Sequence, residues 1–163
     1  MVKIIKNALD KATHKQIFDL VSDNYNFPLY YSSGVANEKY KNKDFFFVHT
    51  FYYHEKELNN PYFKFICLPL LGLIKFKKLL RVKLNCYVNQ KDQIKHGFHH
   101  DFTSSHKVAL YNINTNNGYT EFETGEKITS KANELILFNG KIKHRSVSQN
   151  NEQVRYNINI NYE

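Results

Sequence analysis

Tryptophan is absent from this chain, methionine occurs once, and cysteine occurs only at Cys67 and Cys86. Two cysteines cannot build a disulfide framework, and no CxxC or Cys/His finger spacing exists. Both read as reduced core residues of a cytosolic protein. Six glycines and three prolines in 163 residues exclude collagen-like and Gly/Pro-rich chains. Long hydrophobic runs are missing as well. The most apolar stretch, residues 62–80, is broken by Lys64, Pro69, Lys75, Lys77 and Lys78, so it does not span a bilayer. Residues 1–10 are polar and lack a signal-peptide core. From these absences we expect a cytoplasmic protein with no membrane partner.

What is present is charge, amide and aromatic surface. The net charge is +8, with 12 Tyr and 13 Phe. A basic balance permits a nucleic-acid or other anionic partner. However, only three of the 23 basic residues are arginine, and the Lys-, Asn-, Ile-, Tyr- and Phe-rich composition is equally what an A/T-rich coding sequence yields. The one dense basic run is residues 75–83. The hydrophobic fraction of 42% and charged fraction of 23% are those of a globular chain that buries one core. We expect a single domain over 1–163, with a mixed helical N-terminal support region (1–80) and a β core (81–163).

Along the chain, Val2, Ile4 and Ile5 predict a short strand. Ala12, Ile17, Phe18, Leu20 and Val21 have helical spacing, with Asp10 as N-cap. Residues 24–36 read as loop, 45–53 (FFFVHTFYY) as strand and 68–80 as helix. From Arg81 onward short strand-like segments alternate with turn signals: RVKLNCYV, KVALYNIN, YTEFE, ELILF, IKHRSVS and QVRYNININY. Asn-Gly pairs in the breaks favour positive φ. Strands at this spacing predict a sandwich or barrel. The last strand alternates cleanly. Val154, Tyr156, Ile158 and Ile160 share one face and should meet the helices, while Arg155, Asn157, Asn159 and Asn161 share the other.

Four of the eight histidines, His96, His99, His100 and His106, lie within eleven positions. In extended backbone, residues i and i+2 share a face, so His99 and Asp101 can reach one ion. His144, 43 residues after Asp101, is the natural third ligand. Two histidines and one carboxylate leave coordination positions open, as in the facial triad of non-haem Fe(II) oxygenases. Arg155 follows 11 residues later on the polar face of the last strand. If that face lines an interior, its guanidinium offers a fork for a carboxylate. His100 should point away from the ligands, and His96 and His106 are expected at the surface or just behind the ligands.

In this order, RVKLNCYV, HGFHHDF, VALYNINTNNGYTEFE, NELILFNGKIKH and VRYNININY resemble the catalytic core of the 2-oxoglutarate/Fe(II)-dependent dioxygenases. The likeness is to the prolyl-4-hydroxylase-like branch and its small phage and bacterial members. It covers about half of the chain, residues 81–163. It implies a mainly β, double-stranded β-helix (jelly-roll) core with N-terminal α-helices packed outside. It also implies His99, Asp101 and His144 as catalytic metal ligands and Arg155 as the partner of the distal carboxylate of 2-oxoglutarate. Asn85, Tyr87 and Asn112 follow as further cosubstrate contacts, with Tyr111 the alternative to Asn112. The implied cofactors are Fe(II), 2-oxoglutarate and O₂, with ascorbate as a stimulant, and the implied activity is hydroxylation with release of succinate and CO₂. The substrate, whether small molecule, peptide or nucleic acid, is not legible, because substrate choice lives in loops. Two other readings compete: a cupin-like jelly-roll metal protein without 2-oxoglutarate, and a basic, non-catalytic nucleic-acid-binding module.

Overall fold

The structure, a computed structural model, describes residues 2–23, 25–33, 45–58 and 61–163. Two antiparallel sheets face each other. The strands of the large sheet are β1 (Lys3–Lys6), β2 (Tyr30–Ser33), β3 (Phe45–Tyr53), β4 (Lys56–Glu57), β5 (Leu79–Val88), β6 (Lys107–Asn112), β9 (Glu134–Asn139) and β11 (Val154–Tyr162). They run in the order β1-β9-β6-β11-β5-β3-β2, with β4 paired to β3. The small sheet has the order β10-β7-β8, from β7 (Tyr119–Phe122), β8 (Lys127–Thr129) and β10 (His144–Val147). The architecture is a mainly β jelly roll, as expected.

Helix α1 (Lys11–Val21) begins where Asp10 caps it: the Asp10 carboxylate accepts from the backbone N–H groups of Ala12 and Thr13. Its buried residues Ile17 and Val21 join Ile66, Cys67 and Leu70 over the outer face of the large sheet. There they meet Val82, Leu84 and Cys86 of β5 and Tyr156, Ile158 and Ile160 of β11, the face that alternation assigned to the helices. The inner face of the large sheet meets the small sheet. Val108, Leu110, Ile136 and Phe138 pack with Phe122 and Ile128 at one end, and a polar cavity occupies the other.

Four expectations are corrected. Of the stretch read as one helix over 68–80, only a single α-turn, α2 (Leu68–Leu71), is helical; it follows a π-helical turn (Phe63–Cys67), and β5 begins at Leu79. Gly72 closes α2, residues 73–78 form turns and bends, and Leu79 pairs with Tyr162 of β11. Within 24–36, Tyr30–Ser33 forms the edge strand β2, held by register pairing with β3, and residues 24 and 34–36 lie outside the described residues. The Asn-Gly breaks do not use positive φ, since among the described residues Gly125 alone of the glycines has φ in that region. Gly118 and Gly140 serve close approach instead. A Cβ on Gly118 would lie 2.9 Å from Arg155 Cδ, and one on Gly140 would overlap the His106 ring. Finally, of the two places expected for His96 and His106 the surface is excluded, since both are buried.

Candidate metal centre and its cavity

Backbone pairing brings the candidate ligands together. His99 and His144 form an isolated antiparallel bridge, His99 N–H donating to His144 C=O (3.0 Å) and the reverse (3.1 Å). Their ring centroids are 4.7 Å apart. Asp101, two residues on, turns its carboxylate to the same point, so that one ligand atom from each of His99, Asp101 and His144 lies within 4.8 Å of the others. Each imidazole is oriented by its own chain. His99 Nδ1 lies 3.2 Å from Gly97 C=O and His144 Nδ1 3.3 Å from Ile142 C=O. A carbonyl only accepts, so Nδ1 carries the proton and Nε2 keeps its lone pair for an ion.

The electrostatics suit a cation. Burial pushes His144 down to about 4, with Asp101 opposing the shift, and burial likewise lowers His99. Both rings are therefore neutral at physiological pH, the form that ligates. Burial of Asp101 works against its charge, but Arg81, His144, His99 and the Asn161 amide outweigh it and hold the carboxyl well below its usual range. Arg81 donates to Asp101 Oδ1 at 2.6 Å, and Asn161 and Asn159 amides donate to Oδ2 at 2.9 and 3.2 Å.

The triad opens on a cavity of about 250 Å³ between the two sheets. Arg155 stands in its wall, 1% exposed, and Gly118 leaves room for its side chain. Its guanidinium donates to Ser130 Oγ (2.8 Å), Ser146 Oγ (2.7 Å) and Val147 C=O (3.0 Å). Every one of these partners is neutral. The other two arginines have carboxylates, Asp101 for Arg81 and Glu121 for Arg145. Burial pushes Arg155 down to about 10, the mark of an interior cation without a counter-charge.

No family model matches the sequence, and no curated protein matches it. Solved structures do match. A 2OG-Fe(II) oxygenase family oxidoreductase from Burkholderia pseudomallei superposes with a TM-score of 0.72 at 13% identity, covering 99% of this chain and 85% of that one. A Trichoplax adhaerens prolyl hydroxylase, solved with a hypoxia inducible factor peptide, gives 0.71 at 15%, covering 99% and 82%. The viral collagen prolyl hydroxylase of Paramecium Bursaria Chlorella virus-1, solved with 2OG, gives 0.62 at 12%, covering 99% and 96%. The chain has the fold of the 2-oxoglutarate/Fe(II) oxygenases.

Within this oxygenase fold the remaining candidates fall as follows. Asn85 and Tyr87 lie on the cavity face of β5. Asn85 donates to Asn157 Oδ1 (2.9 Å), and its own carbonyl oxygen is buried without a partner. Tyr87 is sandwiched between Phe46 and His96, with the Arg155 guanidinium 5.4 Å from its ring centre. Parity on β6 separates the other two. Tyr111 enters the helix-side core and donates to Asn133 Oδ1, whereas Asn112 shares the face of Leu110, which lines the cavity. Both amide atoms of Asn112 are buried without a partner. His100 is outside the ligand cluster and its Nε2 lies 3.0 Å from the Lys141 carbonyl, while the residue still lines the cavity. His96 stacks on Tyr87, and His106 lies against Gly140 and Phe102.

Sequence reasoning missed Arg81, Lys83 and the Asp101 contacts of Asn159 and Asn161. In the sequence Arg81 and Lys83 stand out only as the end of the basic run 75–83. Their signal was available in parity, since they share the face of Asn85 and Tyr87 along β5.

Proposed function

We propose that the protein is an Fe(II)- and 2-oxoglutarate-dependent dioxygenase that hydroxylates its substrate and releases succinate and CO₂. The observation that carries this reading is the pairing of a His-Asp-His cluster with a buried, carboxylate-free arginine in one cavity. The residues present fit both groups. Two Nε2 lone pairs and one carboxylate form the donor set for a divalent ion. Arg155, in the cavity wall, can donate to a carboxylate of the dicarboxylate. A cupin-like metal site has no use for a carboxylate-free interior arginine, and a non-catalytic nucleic-acid module has no use for the triad.

When bound, the iron with 2-oxoglutarate and O₂ supplies the oxidising power for an unactivated C–H bond. The chain's own residues do the rest. His99, Asp101 and His144 hold the ion. The Gly97 and Ile142 carbonyls lock the ring tautomers, and Arg81, Asn159 and Asn161 fix the Asp101 carboxylate. Arg155 takes the distal carboxylate and so orients the cosubstrate, an entropic contribution made before any chemistry. Phe46, Leu110 and Phe138 line the cavity with apolar surface and limit water.

The test is aerobic incubation with Fe(II), ascorbate and 2-oxoglutarate, with succinate as the readout. Slow succinate formation by the wild type, absent in His144→Ala, is expected. Equal succinate from both proteins, or none from either, contradicts the proposal.

A further inference from the structure

Arg155 is not the only cation of the cavity without a carboxylate partner among the described residues. Along β5, Val82, Leu84 and Cys86 enter the helix-side core, while Arg81, Lys83, Asn85 and Tyr87 line the cavity. The strand is interior to the sheet, paired with β11 on one side and β3 on the other. Lysine at such a position loses hydration without an apolar gain at its head group. Among the described residues lining the cavity, Asp101 is the sole carboxylate, and Arg81 takes it at 2.6 Å. The Lys83 ammonium instead stands over the Phe46 ring, 5.3 Å from its centre. Burial pushes it down to about 8, with the Arg81 charge adding to the effect and Asp101 opposing it. Lys83 lines the same cavity as His99 and Asp101.

The charges of the assembled site do not close without a further anion. Arg81 cancels Asp101. A divalent ion and the dianion 2-oxoglutarate cancel each other overall, with Arg155 as one anchor of the dianion. Arg155 and Lys83 then remain as two positive charges; the dianion's distal carboxylate occupies Arg155, which leaves Lys83 without an anion in a space of about 250 Å³ that the cosubstrate must share. A cation kept in a low-dielectric cavity attracts an anion far more strongly than one at the surface. The aromatic wall beside it leaves room for an apolar stem next to the charged group.

Resting on the oxygenase reading, we propose that Lys83 is a specificity-determining residue. It receives an oxyanion of the primary substrate, a carboxylate or a phosphate, beside Phe46. The substrate class is thereby an oxyanion-bearing molecule whose charged end enters the cavity.

The experiment uses the full chain loaded with Mn(II), kept in excess over the metal, with saturating 2-oxoglutarate. Paramagnetic relaxation by the bound ion is read on two probes, the phosphorus of inorganic phosphate and the carboxyl carbon of labelled acetate. Saturable relaxation of one or both probes is expected, and the stronger one tells phosphate from carboxylate. Lys83→Met, which keeps the aliphatic stem, should weaken the probe about tenfold or more while metal and 2-oxoglutarate affinities stay unchanged. Lys83→Arg should restore probe binding. A wild type that binds Mn(II) and 2-oxoglutarate but relaxes neither probe overturns the proposal, as does equal relaxation in Lys83→Met. A loss of 2-oxoglutarate affinity in Lys83→Met also overturns it, by assigning the ammonium to the cosubstrate. Failure of the wild type to bind Mn(II) and 2-oxoglutarate removes the oxygenase reading itself, a separate and recognisable result.

Discussion

Asp101 carries one negative charge and meets three cationic or amide neighbours before any ion arrives. Arg81 takes Oδ1, which leaves Oδ2 on the side of His144 Nε2, 3.7 Å away. The guanidinium thus sets which oxygen faces the ion. Removing it in Arg81→Met frees the carboxylate to rotate and is expected to weaken divalent metal affinity about 10–100-fold. Calorimetric titration with Mn(II) checks this, and unchanged affinity contradicts it. Gly118 makes the second residue-scale case. The position of its missing Cβ lies 2.8 Å from Asn116 Oδ1, 2.9 Å from Arg155 Cδ and 3.0 Å from Val147 O. Gly118→Ala must therefore displace Arg155 or the backbone. We expect a loss of about 1–3 kcal/mol in urea-monitored stability, together with weaker 2-oxoglutarate binding and little change in metal binding. These roles were illegible in the chain because they depend on which side chains meet across strands far apart in sequence. His99, Asp101, His144 and Arg155 were legible as a group because three of them are types with metal-binding chemistry and the fourth is a rare arginine on a polar strand face.

At the scale of elements, what the sequence revealed follows from periodicity. β11 alternates apolar and polar residues with period two, and each set went to a different face of the large sheet. Asp10 begins α1 because its short side chain satisfies two free backbone N–H groups. Asp10→Ala is expected to lower stability by about 1 kcal/mol, visible as a reduced urea midpoint with unchanged slope. An effect below the error of the midpoint would show that packing of Ile17 and Val21 alone holds the helix. Residues 68–80 were misread because a short apolar run interrupted by lysines has no decisive period. Strand β2 was hidden for another reason. It is an edge strand with exposed Tyr30 and Tyr31, so burial imposed no pattern on it.

At the scale of the molecule, the fold works as a frame that keeps several histidines neutral and one carboxylate ionised. Burial pushes His96 and His144 down to about 4, below the value of about 6.5 expected in the unfolded chain. The unfolded state therefore takes up protons first as pH falls. The stability these two groups contribute is complete above about pH 6.5 and is lost progressively toward pH 4. Asp101, held below the usual carboxylate range, adds a further loss only below about pH 4. Metal-free protein should thus show falling urea stability from pH 6.5 to 4.5. A flat profile over that window contradicts the buried, neutral histidines.

The central claim, that the triad and Arg155 hold Fe(II) and 2-oxoglutarate together, is tested most directly by an anaerobic titration. Metal-free protein receives Fe(II) and then 2-oxoglutarate, and the weak visible charge-transfer band of the chelate is recorded for the wild type, Asp101→Ala and Arg155→Ala. The account requires a band in the wild type, a higher half-saturation for 2-oxoglutarate in Arg155→Ala, and no band in Asp101→Ala. Tight metal binding without any band in the wild type, or an undiminished band in Asp101→Ala, contradicts it.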